Sequence, residues 1–169
     1  MKIKLFFAFA ILSLILYFIK FPVIFDESKY AANSTFDHLK KNDVFTLGKR
    51  LKVTTYNEYK LIYIINDRND VSDDFRYGKV FTTSDPALIE KFLTIKFTYT
   101  GSDIATAQNQ ILLYKNNKCI FRSSIVADDE SEGLQSFDFG WVQSAKKKNG
   151  ISNVLRTFDN NYSPIVFLK

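Results

Sequence analysis

The chain has 169 residues, 46% of them hydrophobic and 24% charged, which places it among ordinary single-domain globular proteins. Its 17 Phe and 9 Tyr against 6 Gly and 3 Pro argue against disorder or a repetitive fibrous fold and assign much of the core to aromatic side chains. The formal charge is +5, but of the 23 basic residues Lys2, Lys4 and Lys20 lie in an apolar leader, leaving 20 against 18 acidic side chains; so even a balance argues against a nucleic-acid partner.

The leader comes first in the chain. Leu5 to Ile19 is apolar except for Ser13, with Leu5, Phe6, Phe7, Ile11, Leu12, Leu14, Ile15, Leu16 and Ile19 as its membrane-facing candidates. Alone it would rise roughly 22 Å as a helix, the length of a signal-peptide core. Continued through Phe21, Pro22, Val23, Ile24 and Phe25 it would rise roughly 31 Å, enough for the roughly 30 Å hydrocarbon layer. Small residues suited to cleavage do not stand just after the apolar run, so residues 1–25 are expected to be an uncleaved anchor, with a cleaved signal segment as the alternative. A third arrangement places Ile3 to Ile19 across the bilayer and lays Phe21 to Phe25 in its interface. Lys2 and Lys4 on one flank put the N-terminus in the cytoplasm under either leader reading and the remainder outside, in the periplasm of a Gram-negative cell.

Residues 26–43 read as a connector with a short helix begun by Ser34 and carrying Phe36, Leu39 and Lys40 on one face. The folded domain is expected over 44–169. Lys49 to Tyr56 and Tyr59 to Asn66 are rich in Val, Thr, Tyr and Ile and read as a hairpin, the second strand apolar on both faces and therefore central. After the polar stretch from Asn66 to Asp74, Tyr77 to Thr83 reads as a third strand. Ser84-Asp85-Pro86 starts a helix, and Leu88, Ile89, Phe92 and Leu93 recur at helical spacing. Gln110 to Lys115 and Cys119 to Ala127 form a hairpin about Asn116-Asn117, a pair that tolerates left-handed backbone. An acidic loop from Asp128 to Gly133 precedes an expected strand from Phe137 to Gln143, whose alternation puts Phe137, Phe139 and Trp141 on one face toward the core. Ile151 to Phe158 reads as a helix and Pro164 to Leu168 as a closing strand. The fold class is thus α+β: a largely antiparallel sheet with two or three short helices, preceded by one N-terminal transmembrane or signal helix.

Chemistry-bearing patterns are sparse. His38 is the single histidine and Cys119 the single cysteine, too few for a Ser-His-acid or Cys-His hydrolase with its base in the fold, or for the common zinc sets. Cys119 has no intramolecular disulfide partner and reads as a small core residue. The glycines form no phosphate-cradling loop, and Asp67 to Asp70 fails the calcium-loop pattern because Val71 and Ser72 stand where a ligand and a glycine belong. The run Lys146-Lys147-Lys148 reads as a solvated turn. No cofactor or metal is expected. What stands out is two acidic loops, Asp70, Asp73 and Asp74 in one and Asp128, Asp129, Glu130 and Glu132 in the other. With the leader, they favour a tethered domain that binds another protein, in concrete form an immunity or inhibitor protein facing a toxin or envelope enzyme. An accessory subunit of an envelope complex, and a small-molecule binder or carboxylate-dependent hydrolase, are the alternatives.

Overall fold

The computed structural model describes residues 2–28, 30, 34–71, 75, 78–102, 107–128, 130–145 and 150–169. The leader is helical from Lys2 to Lys20 (α1), and there it stops. The expected continuous helix to Phe25 does not form, because Pro22 has no N–H to continue the ladder and Val23–Asp26 is instead a strand, β1. Among the described residues no helix is long and apolar enough to cross a membrane: α1, at 19 residues, rises about 28 Å, just under the roughly 30 Å of hydrocarbon.

β1 pairs in parallel with the last strand of the chain, Ile165–Leu168 (β11), in a two-stranded ribbon. The closing strand expected at the C-terminus exists, but its partner is this segment beside the leader rather than the main sheet. The connector supplies a single 3-10 turn over Ser34–Phe36, and Phe36, only 1% exposed, is a core residue whose ring lies 4.9 Å from that of Phe139.

The main sheet has nine antiparallel strands: Val44–Thr46 (β2), Tyr59–Ile64 (β3), Val80–Thr83 (β4), Lys96–Tyr99 (β5), Gln110–Lys115 (β6), Lys118–Ala127 (β7), Glu132–Ser136 (β8), Gly140–Ser144 (β9) and Asp159–Asn160 (β10), in the order β10-β4-β3-β6-β7-β8-β9-β5-β2. β3 lies between β4 and β6 with Leu61 to Ile64 all buried, the central position its two apolar faces predict. The expected strand over Lys49 to Tyr56 is absent. Thr46 caps a four-residue helix, Leu47–Arg50 (α2), accepting the Lys49 N–H, and Leu51 and Val53 pack on the core from irregular backbone, so their alternation records burial rather than pleating.

The helix predicted at Asp85-Pro86 runs over Pro86–Leu93 (α3), with the Asp85 carboxylate accepting the Ala87 N–H at 2.9 Å. The β6–β7 hairpin turns at Asn116 and Asn117, both at positive φ, the conformation of the tight hairpin turn. A bulge follows: Leu113 faces Phe121 and Tyr114 faces Cys119. Cys119 and Phe121 are thereby sent to opposite sides of the sheet. The strand expected over Phe137 to Gln143 is broken by a turn at Phe137 to Phe139 ending on Gly140 at φ +66°. Phe139 and Trp141 are buried as expected, whereas Phe137 is fully exposed at the tip.

Two cores result. On one face of the sheet Leu61, Tyr63, Phe81, Ile111, Phe121 and Leu134 pack against α2, α3 and the short helix Ile151–Leu155 (α4). On the other, Ile62, Ile64, Val80, Leu112, Tyr114 and Cys119 pack against Ile24, Val166 and Leu168 of the ribbon. The chain is mixed α+β, mostly antiparallel, in three layers: helices, sheet, ribbon.

Candidate functional site

The two acidic loops, far apart in the sequence, meet at one end of the sheet. The first leaves β3 and is held down by Asn109, completely buried just before β6. Its side-chain oxygen accepts the Asn66 and Asp67 N–H groups at 2.7 and 2.8 Å, and its amide donates to the Asp67 carbonyl at 2.8 Å. A buried amide with its bonding groups satisfied fixes backbone firmly. Arg68 reaches along the same loop to donate to the carbonyls of Phe75 and Gly78. The second loop leaves β7 and touches the first directly: Ala127 donates its N–H to the Asp70 carbonyl at 3.2 Å, and Val71 and Ala127 form an isolated parallel bridge.

The bridge brings Asp70 close enough to Asp128 for their charges to interact. Burial raises the Asp70 carboxyl above its ordinary value, a backbone bond from Gln108 partly offsets this, and the negative charges of Asp67 and Asp128 push it up further. The Asp128 side chain is turned back on its own loop, its Oδ1 accepting the N–H groups of Glu130 at 2.8 Å and Ser131 at 2.6 Å. Glu130 is exposed. The ion pairs of Lys115 with Glu58 and of Arg122 with Asp26 involve none of these acids, and the exposed Arg68 stands within the first loop. Asp73, Asp74 and Asp129 lie outside the described residues.

Glu132 departs from the sequence reading altogether. It is the first residue of β8, 5% exposed, and its carboxylate points inward. It accepts the N–H groups of Gly150, Ile151 and Ser152 at 2.8, 2.9 and 3.0 Å and the Ser152 hydroxyl at 2.5 Å, which ties β8 to the start of α4. It is an internal fastening and not part of the rim. Neither this role nor that of Asn109 has a local sequence signature, since each depends on partners brought in from remote segments.

Other candidate chemistry is dispersed. His38 is exposed in a turn at positive φ. Cys119 is buried and free, and burial raises its thiol pKa, opposite to the shift that activates a thiol. Among the described residues no group of three or more His, Cys, Asp or Glu is placed to hold a metal ion. A cleft of about 570 Å³ opens between the end of α3, β9 and α4, lined by Lys91, Lys96, Ser144 and Asn153 among others and, among the described residues, by no carboxylate. The Lys146 to Lys148 run lies outside the described residues. Of the leader residues, Phe7, Ile11, Leu12, Leu14, Ile15 and Leu16 are exposed; the side chains of Leu5, Phe6 and Ile19 are not among those described. Compared with protein-family models, curated proteins and solved structures, the chain finds no match.

Proposed function

We propose that this chain is a membrane-tethered, extracytoplasmic protein-binding domain, and that its concrete role is that of an immunity or inhibitor protein acting on a basic toxin or envelope enzyme. The observation that carries this reading is the acidic rim: Asp67, Asp70, Asp128 and Glu130, drawn from two loops and held on a backbone fixed by Asn109 and Arg68. A fixed patch in which acidic side chains outnumber the one cation among the described residues, Arg68, steers a basic partner and sets its orientation. Asp70, whose carboxyl is raised by burial and further by the charges of Asp67 and Asp128, would have the charge part of that shift relieved by a cationic group on a partner.

The tether is the other half of the proposal. Phe9, Ile11, Leu12, Leu14, Ile15, Leu16 and Tyr17 are all exposed, and at 100° per residue they fall on every side of the α1 axis; a helix apolar all round belongs in hydrocarbon. The charge order of its flanks directs the domain outward. The accessory-subunit reading is favoured by one feature, the rise of α1 slightly short of the hydrocarbon layer, since a short span is accommodated by tilting or by association with other helices.

Crosslinking the full chain in its native membranes, followed by mass spectrometry, tests the proposal. The expected catch is a basic protein crosslinked next to Asp70 or Asp128. The triple variant Asp70→Asn, Asp128→Asn, Glu130→Gln keeps the shapes of the side chains and should lose both the crosslink and protection against the captured toxin or enzyme. A stably folded triple variant that keeps both rejects this surface.

A further inference from the structure

The β1–β11 ribbon has two unlike faces. Ile24, Val166 and Leu168 point into the core. The alternate residues face away: Val23, Phe25, Ile165 and Phe167 are 39%, 48%, 47% and 61% exposed. Val23 is paired with Ile165 and Phe25 with Phe167, and the two Phe rings stack at 5.3 Å and 15°. Single exposed apolar side chains are ordinary, but an aligned apolar ladder on one face marks a surface that meets something.

Chain continuity says what it meets. α1 ends at Lys20, the Phe21 N–H still donates to the Tyr17 carbonyl at 2.8 Å, and the Val23 N–H donates to the Pro164 carbonyl at 3.0 Å. Because the pairing is parallel, both strands begin at the end where α1 stops. The C-terminal strand is thus brought back to the foot of the leader helix. Phe25 lies at most about 17 Å of extended chain from Lys20, and the headgroup zone is itself roughly 5–7 Å deep on each side. Phe21, 45% exposed, joins the apolar surface of the helix to that of the ribbon.

We infer that the outer face of the ribbon rests in the lipid interface, so that the last strand of the chain is a second membrane contact beside the helix. This rests on the anchor reading above. α1 rises slightly less than the hydrocarbon thickness, and apolar side chains in the interface just beyond its end complete the coverage. A second copy of the chain is a poorer occupant, since four side chains fall far short of the roughly 20–30 residues a side of a stable interface.

The full chain is spin-labelled at single cysteines, reconstituted in phosphatidylcholine–phosphatidylglycerol vesicles, and its nitroxides compared for exposure to oxygen, which concentrates in lipid, and to a water-soluble nickel chelate. Phe167→Cys and Ile165→Cys report the ribbon, Leu12→Cys the helix, and Val44→Cys, exposed on an outer strand of the sheet, the water-facing reference. Cys119 is buried, and the unsubstituted chain measures its background labelling. The expected result is an oxygen-to-nickel ratio raised several-fold over the Val44 site at Leu12, Phe167 and Ile165 alike. A lipid-like Leu12 with water-like Phe167 and Ile165 overturns the ribbon contact and leaves the anchor standing. Ribbon sites shielded from both reagents mean a protein covers them and also overturn it. A Leu12 site that is not lipid-like overturns the anchor and the ribbon contact with it.

Discussion

A carboxylate loses its hydration on burial and needs donors in its place. Glu132 has four, from three backbone N–H groups and one hydroxyl. Glu132→Ala leaves those donors facing a void, so a loss of about 3 kcal/mol or more is expected in urea unfolding of the domain; Glu132→Gln also weakens it, because the new NH2 group opposes N–H donors. Asp70 behaves in the opposite sense. Its folded-state pKa is raised by burial and by Asp67 and Asp128, so the stability its protonated form confers is present below the ordinary value of about 3.9 and is lost as pH rises through the raised value. Asp70→Asn is therefore expected to stabilise the protein at pH 7, by at most about 0.5 kcal/mol at a partly exposed site, with the gain absent in melts below about pH 4. In sequence Glu132 and Asp70 look alike, both acids in hydrophilic runs. What separates them is the parity of β8 and the arrival of α4, neither of which the residue beside them encodes.

At the scale of elements, legibility follows locality. α3 announces itself because Asp85 and Pro86 act on their own first turn, and the β6–β7 hairpin because Asn116 and Asn117 supply its left-handed backbone themselves. β1 and β11 are hidden as partners, since nearly the whole chain separates them and apolar residues after a leader read equally well as more helix. The close approach of β8 to β9 is hidden too. A Cβ built on Gly133 would lie 2.3 Å from the Trp141 ring and 2.4 Å from the Val142 carbonyl; Gly133→Ala should cost about 2–3 kcal/mol by overpacking and shift the emission of the single tryptophan on the way. The ribbon is clipped to β7 by Asp26, whose carboxylate lies 2.7 Å from the Arg122 guanidinium. Burial raises the Asp26 pKa, but the bonds from Ser28 and the charge of Arg122 outweigh it and the net shift is downward. The clip is thus at full strength above the ordinary value of about 3.9 and weakens as pH falls through the lowered one. Protection factors of the β1 and β11 amides, with the intrinsic pH dependence of exchange divided out, should fall over that acid window, and Arg122→Gln should lower them already at pH 7.

For the whole molecule, the position of β1 in the fold constrains how the tether works. Only Phe21 and Pro22 separate α1 from the ribbon, so if α1 is the tether proposed above, the domain would stand at the membrane surface rather than on a flexible stalk and would meet partners passing close by. On that reading, confinement would raise the effective concentration toward a partner held at the same membrane without any new contact, while charge on the rim would act on the association rate. The two contributions are separable in experiment. Replacing α1 with an unrelated membrane-spanning helix should preserve protection of the cell, because an immunity role requires the helix only for address. Neutralising Asp70, Asp128 and Glu130 in that chimera should then lower the association rate about ten-fold at low salt and flatten its dependence on ionic strength, with the melting temperature unchanged or slightly raised. Loss of protection on helix exchange alone, in a chimera that still reaches the membrane and folds, would transfer the recognition surface from the acidic rim to α1 and make the chain a subunit assembled within the bilayer.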